Sequence, residues 1–209
     1  MTDSDLTLIA ALLDRSGSMA TIKTDTEGGF RTFLADQREQ PGRLEVTLAQ
    51  FDDKYELVYP PTPAAEVPDF VLSPRGSTAL LDALGRFITD IGAKLAERPE
   101  EQRPGTVIVV VMTDGVENSS CEWNIGEIRE LVTSQREQWQ WQFVFLGANL
   151  DAVAVGRNMG MAAGQTIAYA ATSAGTHAVM HSVSRSTTDM RTGGDGHFTN
   201  TERDDAAAT

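Results

Sequence analysis

Residues 6–19 read LTLIAALLDRSGSM. The first eight, Leu6 to Leu13, are uncharged, and Asp14 ends the run. A short, continuously apolar run closed by turn-forming residues is the pattern of a strand buried on both faces. Such strands occur in parallel sheets covered by helices. Two further runs repeat the pattern: Thr106–Met112 (TVIVVVM), ending at Thr113-Asp114-Gly115, and Phe143–Leu146 (FVFL), ending at Gly147-Ala148-Asn149. Leu44–Phe51 alternates, with Leu44, Val46 and Leu48 on one side, and reads as a less buried strand. Asp52-Asp53-Lys54 turns it into Tyr55–Tyr59, so the pair is expected as an antiparallel hairpin at the sheet edge.

Helical periodicity fills the intervals. Leu80, Leu81, Leu84, Phe87, Ile88, Ile91 and Leu95 follow the i, i+3/i+4 spacing and predict an amphipathic helix over 78–96. Ile125, Ile128, Leu131 and Val132 mark another at 124–138, and Phe30, Phe33 and Leu34 an earlier one weakened by Gly28-Gly29. A short helix at 151–159, a last strand at 165–170 and a last helix at 173–190 complete the order β-α-β-β-α-β-α-β-α-β-α. Strands alternating with helices define an open, mostly parallel, Rossmann-like α/β sheet with helices on both faces. Residues 1–191 are expected as one domain. Residues 192–209 hold one large apolar side chain, Phe198, and are expected to form a flexible tail.

The 209 residues carry 17 Lys and Arg against 30 Asp and Glu, a net charge of −13. That balance argues against nucleic acid and against an anionic membrane surface, both of which attract basic footprints. The longest strongly apolar run, Val107–Met112, falls far short of the ~20 residues that cross a bilayer. The acidic start, Met1 to Asp5, lacks the basic segment of a secretory signal, and one cysteine allows no internal disulfide. A cytoplasmic protein is expected.

Ligands of open parallel sheets sit beyond the carboxyl ends of the strands, so the residues after each strand are the informative ones. The first strand is followed by Asp14-Arg15-Ser16-Gly17-Ser18-Met19, and the run TVIVVVM by Thr113-Asp114-Gly115-Val116-Glu117-Asn118. Arg75-Gly76-Ser77-Thr78 precedes the long helix. On one rim these segments would offer two carboxylates, Asp14 and Asp114, and the hydroxyls of Ser16, Ser18 and Thr78, with Ser77 as a further candidate. An all-oxygen set suits a hard divalent cation, and two carboxylates balance its charge.

Asp14-x-Ser16-x-Ser18, Thr78 in Gly76-Ser77-Thr78-Ala79-Leu80, and Asp114 in Thr113-Asp114-Gly115 resemble all five positions of the metal-ion-dependent adhesion site (MIDAS) of von Willebrand factor type A (vWA) domains. The resemblance covers residues 6–190. The strings DRSGSM, GSTALLDALG, TDGVENSS and FVFLGAN resemble bacterial, stand-alone intracellular members. The resemblance implies that Ser16, Ser18 and Thr78 contact Mg²⁺ or Mn²⁺, with Asp14 and Asp114 holding it directly or through water. It also implies a non-enzymatic protein-binding module. A partner's Asp or Glu would complete the coordination, and the partner would belong to a system containing an AAA+ ATPase, a kinase or a phosphatase.

Other readings compete with this one. A Mg²⁺-dependent phosphatase with Asp14 as nucleophile would want an acid/base carboxylate two residues later, where Ser16 stands, and a lysine near Thr78. A dinucleotide-binding domain would want G-x-G-x-x-G after the first strand. An adaptor could use another surface and keep the metal for stability alone. His177 and His181 share a helix face but lack a third zinc ligand; Cys121 reads as a passive thiol, and Trp123, Trp139 and Trp141 as core or helix-packing residues.

Overall fold

The computed structural model describes residues 1–148 and 150–208. Its strands are β1 (Asp3–Asp14), β2 (Arg43–Phe51), β3 (Tyr55–Pro63), β4 (Pro104–Thr113), β5 (Gln142–Ala148) and β6 (Thr166–Tyr169). Its helices are α1 (Lys23–Arg38), α2 (Leu80–Ala96), α3 (Ile125–Trp139), α4 (Ala152–Asn158), α5 (Ser173–Arg191) and α6 (Asn200–Ala207). The strands form one sheet in the order β3-β2-β1-β4-β5-β6. Every neighbouring pair is parallel except β2 and β3, which form the expected edge hairpin.

β1 explains the architecture. Its side chains alternate between the two faces of the sheet. Ile9, Ala11 and Leu13 enter a core with Phe30 and Phe33 of α1 and Val179 and Val183 of α5. Leu8, Ala10 and Leu12 enter a second core with Leu84, Phe87 and Ile88 of α2 and Ile128 and Val132 of α3. Both faces are apolar because both are covered. Gly29 does not break α1 but lets it approach α5: a Cβ there would stand 2.6 Å from Met180 Cγ.

The chain moves from β1 outward to β2 on one side and later returns to β4 on the other. The carboxyl ends of β1 and β4 therefore flank the point where strand order reverses, the usual crevice for ligands in open α/β sheets. Leu13 is level with Met112 in the register, so Asp14 and Thr113 emerge side by side at that crevice.

Three expectations need correction. Residues 192–207 do not extend away from the body as a tail. Phe198 is 6% exposed, Ala206 is buried, Ala206 C=O accepts from Ala170 N–H at 2.8 Å, and Arg185 of α5 pairs with Glu202 at 2.6 Å. A capping box between Thr199 and Glu202 starts α6. A sequence with one aromatic can dock when α5 and β6 already present a matching surface. Trp139 is 61% exposed rather than packed: α3 ends there, Gln140 turns the chain at φ 58°, and Trp141 enters the core instead. The long helix starts at Leu80, leaving Thr78 in the loop ahead of it. Asn149 and Thr209 lie outside the described residues. Among the described residues no helix is long and apolar enough to cross a membrane.

Candidate metal site at the carboxyl rim

The loop after β1 folds back on itself at once. Ser16 N–H donates to Asp14 Oδ1 at 2.6 Å, and a short 3-10 turn follows over Gly17–Thr21. The turn aims both serine hydroxyls the same way, and Ser16 Oγ and Ser18 Oγ lie 3.1 Å apart. Ser18 Oγ donates to Asp114 Oδ1 at 2.6 Å, and Thr113 Oγ1 donates to Asp14 Oδ2 at 2.5 Å. Thr78 arrives from the third segment. A Cβ built on Gly115 would fall 2.9 Å from Thr78 Oγ1 and 3.8 Å from Asp14 Oδ2, so glycine leaves open a cradle between those two oxygens. All five sequence-predicted residues thus meet at one rim. Asp14, Ser16 and Thr78 are buried, and Ser18 and Asp114 lie nearer the surface.

Residues outside the expected set hold this arrangement. Asn118 clamps Thr78 twice: its side-chain oxygen accepts from Thr78 N–H, and its own N–H donates to Thr78 C=O, both at 3.0 Å. Glu117 accepts from the N–H groups of Leu81, Ser119 and Ser120. Asp82, in the first turn of α2, accepts from the N–H groups of Cys121, Glu122 and Trp123. Both carboxylates satisfy amides that a loop of this kind would otherwise leave unpaired. Thr113 adjoins the recognised Asp114 in sequence; no sequence signal marks Asn118 or Asp82, whose roles depend on contacts about 40 residues away.

The site is electrostatically incomplete. Among the described residues neither Asp14 nor Asp114 has an ion-pair partner. Burial pushes the Asp14 carboxyl up to about 6, against the opposing hydrogen bonds from Thr113 and Ser16. Burial also raises Asp114. Tyr169, at the end of β6, is 2% exposed with an unpartnered hydroxyl. Burial, then the charges of Asp114 and Asp14, push that hydroxyl well above its ordinary range. Two desolvated carboxylates facing neutral oxygens are a donor set that a hard divalent ion would complete.

Among the described residues no group of three or more His, Cys, Asp or Glu side chains is placed to hold a metal. His177 Nε2 lies 3.5 Å from Asp25 Oδ1. Cys121 is exposed, and the neighbouring Asp82 charge pushes its thiol up, away from thiolate reactivity. Trp123 packs partly buried against α2.

No family model matches the sequence, and no curated protein matches it. Solved structures do. Proximal thread matrix protein 1 from the mussel byssus is 16% identical over 88% of this chain and 47% of its own, with a TM-score of 0.60. A von Willebrand factor type A protein from Catenulispora acidiphila is 13% identical over 88% of this chain and 43% of its own, with a TM-score of 0.61. The vWF domain of the type V pili tip protein Mfa5 from Porphyromonas gingivalis is 9% identical over 87% of this chain and 94% of its own, with a TM-score of 0.60. Another structure of the byssus protein carries a zinc-occupied MIDAS motif. The chain thus has the von Willebrand factor type A fold. It spans about half the length of the byssus protein and nearly all of the pilus-tip domain.

Proposed function

We propose that this protein is a metal-dependent protein-binding module whose rim takes up Mg²⁺ or Mn²⁺ and docks an acidic residue of a partner. The observation that carries the reading is the convergence of Asp14, Ser16, Ser18, Thr78 and Asp114 with, among the described residues, no basic side chain paired to either carboxylate. In this reading those five residues hold the ion, and the ion supplies an electrophilic point for an incoming carboxylate. Neutral hydroxyls leave its charge less compensated than further carboxylates would, so a partner Asp or Glu gains a charge-assisted contact in a partly dry site.

The arrangement favours binding over hydrolysis. Asp14 is fully buried, and both of its oxygens already accept hydrogen bonds. A carboxylate so enclosed is poorly placed as a nucleophile, and Ser16 supplies no acid/base carboxyl. The zinc-occupied motif of the byssus protein supports a divalent ion at this kind of rim. Calorimetric titration of chelator-treated protein with Mn²⁺ tests the metal. Affinity capture on wild type and Thr78→Ala, with and without chelator, tests the docking. The expected complex requires both metal and Thr78. A complex that forms equally in chelator overturns the docking role and favours an adaptor with a structural metal.

A further inference from the structure

One fully buried carboxylate outside the donor set ties together the loops that carry the donors. Asp52, at the tip of the β2–β3 hairpin, is 0% exposed. Its Oδ2 accepts from Arg15 Nε at 3.1 Å and from Arg75 Nε at 2.6 Å, and its Oδ1 accepts from Lys54 N–H at 2.7 Å. Its backbone C=O accepts from Ala79 N–H at 3.0 Å. The main chains knit around the same node. Arg15 N–H donates to Phe51 C=O, Arg75 N–H to Arg15 C=O, and Gly17 N–H to Gly76 C=O.

Arg15 stands between Asp14 and Ser16, and Arg75 stands three residues before Thr78. Asp52 is therefore the junction between the Asp14–Ser18 loop and the loop that presents Thr78. No strand pairing fixes that second loop, because β3 ends at Pro63 and α2 begins only at Leu80. Charge points the same way. Arg15 is 4% exposed, a buried guanidinium carried by the residue between Asp14 and Ser16. Asp52 and Glu56 neutralise it. Without Asp52, the loop that carries Asp14, Ser16 and Ser18 would hold a buried guanidinium paired only with the half-exposed Glu56, which would disturb the loop.

We propose that Asp52 is the positioning residue of the rim, setting Thr78 against the Asp14–Ser18 loop by holding Arg15 and Arg75 on one carboxylate. The inference rests on the metal-binding reading above. Mn²⁺ titration of the full chain, followed by electron paramagnetic resonance of the free ion well below the unfolding transition, tests it. Circular dichroism checks the fold of each variant. Asp52→Asn is expected to weaken Mn²⁺ binding roughly tenfold or more while the protein stays folded. Arg75→Gln, which removes one half-exposed tether, is expected to weaken it a few-fold. Arg98→Gln, which breaks the Arg98–Glu45 pair near the amino ends of the strands, is expected to leave the affinity unchanged.

A merely structural Asp52 would lower the melting temperature and leave the affinity of folded protein unmoved. That result, or unchanged binding in Arg75→Gln should Asp52→Asn fail to fold, overturns the inference alone. Absence of Mn²⁺ binding by wild type overturns the metal reading and this inference with it.

Discussion

Ser18 Oγ donates to Asp114 Oδ1 at 2.6 Å across 96 residues of sequence. That bond closes the crevice at the reversal of strand order and joins the loop after β1 to the loop after β4. Asp114→Ala leaves Ser18 without its acceptor and removes one negative charge from the rim. We expect it to weaken Mn²⁺ binding by roughly tenfold to a hundredfold with little change in the melting temperature of metal-free protein. Calorimetry and thermal scans on the same samples check this; a large loss of metal-free stability would mark the pair as structural.

Asp14 gives the site a pH dependence of defined sign. Burial lifts its carboxyl to about 6 in the folded, metal-free protein, above its ordinary 3.8. The folded state then binds more protons than the unfolded state between those values. Stability from this group is present below about 4 and is lost as pH rises through about 6, at most about 3 kcal/mol. Asp14→Asn should raise the melting temperature of metal-free protein at neutral pH and abolish metal binding. Wild type should release protons as it takes up metal near pH 6. Isothermal titration in buffers of different ionisation enthalpy measures that release, and its absence would show that Asp14 is already ionised without the ion.

Gly115 keeps the cradle open. In Gly115→Ala the methyl group would occupy the space 2.9 Å from Thr78 Oγ1. Metal affinity is expected to fall at least about tenfold while the fold, read by circular dichroism, is retained. Equal affinity in the alanine variant would place the ion elsewhere.

The docked carboxyl-terminal segment contributes to stability. Phe198→Ala should cost about 3 kcal/mol, and removal of residues 192–209 at least as much, because it also breaks the Arg185–Glu202 pair. For a domain of this size that lowers the melting temperature by about 6–12 °C. A thermal scan showing no change would return the segment to the status of a tail.

The net charge of −13 repels an acidic surface at long range, whereas in the proposed docking mode a bound metal would attract a carboxylate at contact. A partner is therefore expected to present one acidic residue within a neutral or basic surround. Raising salt should slow association more than it speeds dissociation, since long-range attraction is screened and the metal contact is not. Surface plasmon resonance at graded ionic strength separates the two rates.

The sequence by itself determined the order and type of the elements from β1 to α5, though not α6, and named the five residues that meet at the rim. Uncharged runs such as LTLIAALL encode strands buried on both faces, and the i, i+3/i+4 spacing from Leu80 to Leu95 encodes α2. Those signals are local, because backbone periodicity is written in neighbouring residues. The five rim residues were legible because each follows a strand or precedes a helix. Tertiary structure alone decided that Asn118 clamps Thr78, that Asp52 joins two donor loops, and that Phe198 is buried while Trp139 is not. Each of these depends on a partner tens of residues away. An aspartate in a turn looks the same in sequence whether it faces water or two guanidinium groups, and only the folded chain brings Arg15 and Arg75 to the same oxygen of Asp52.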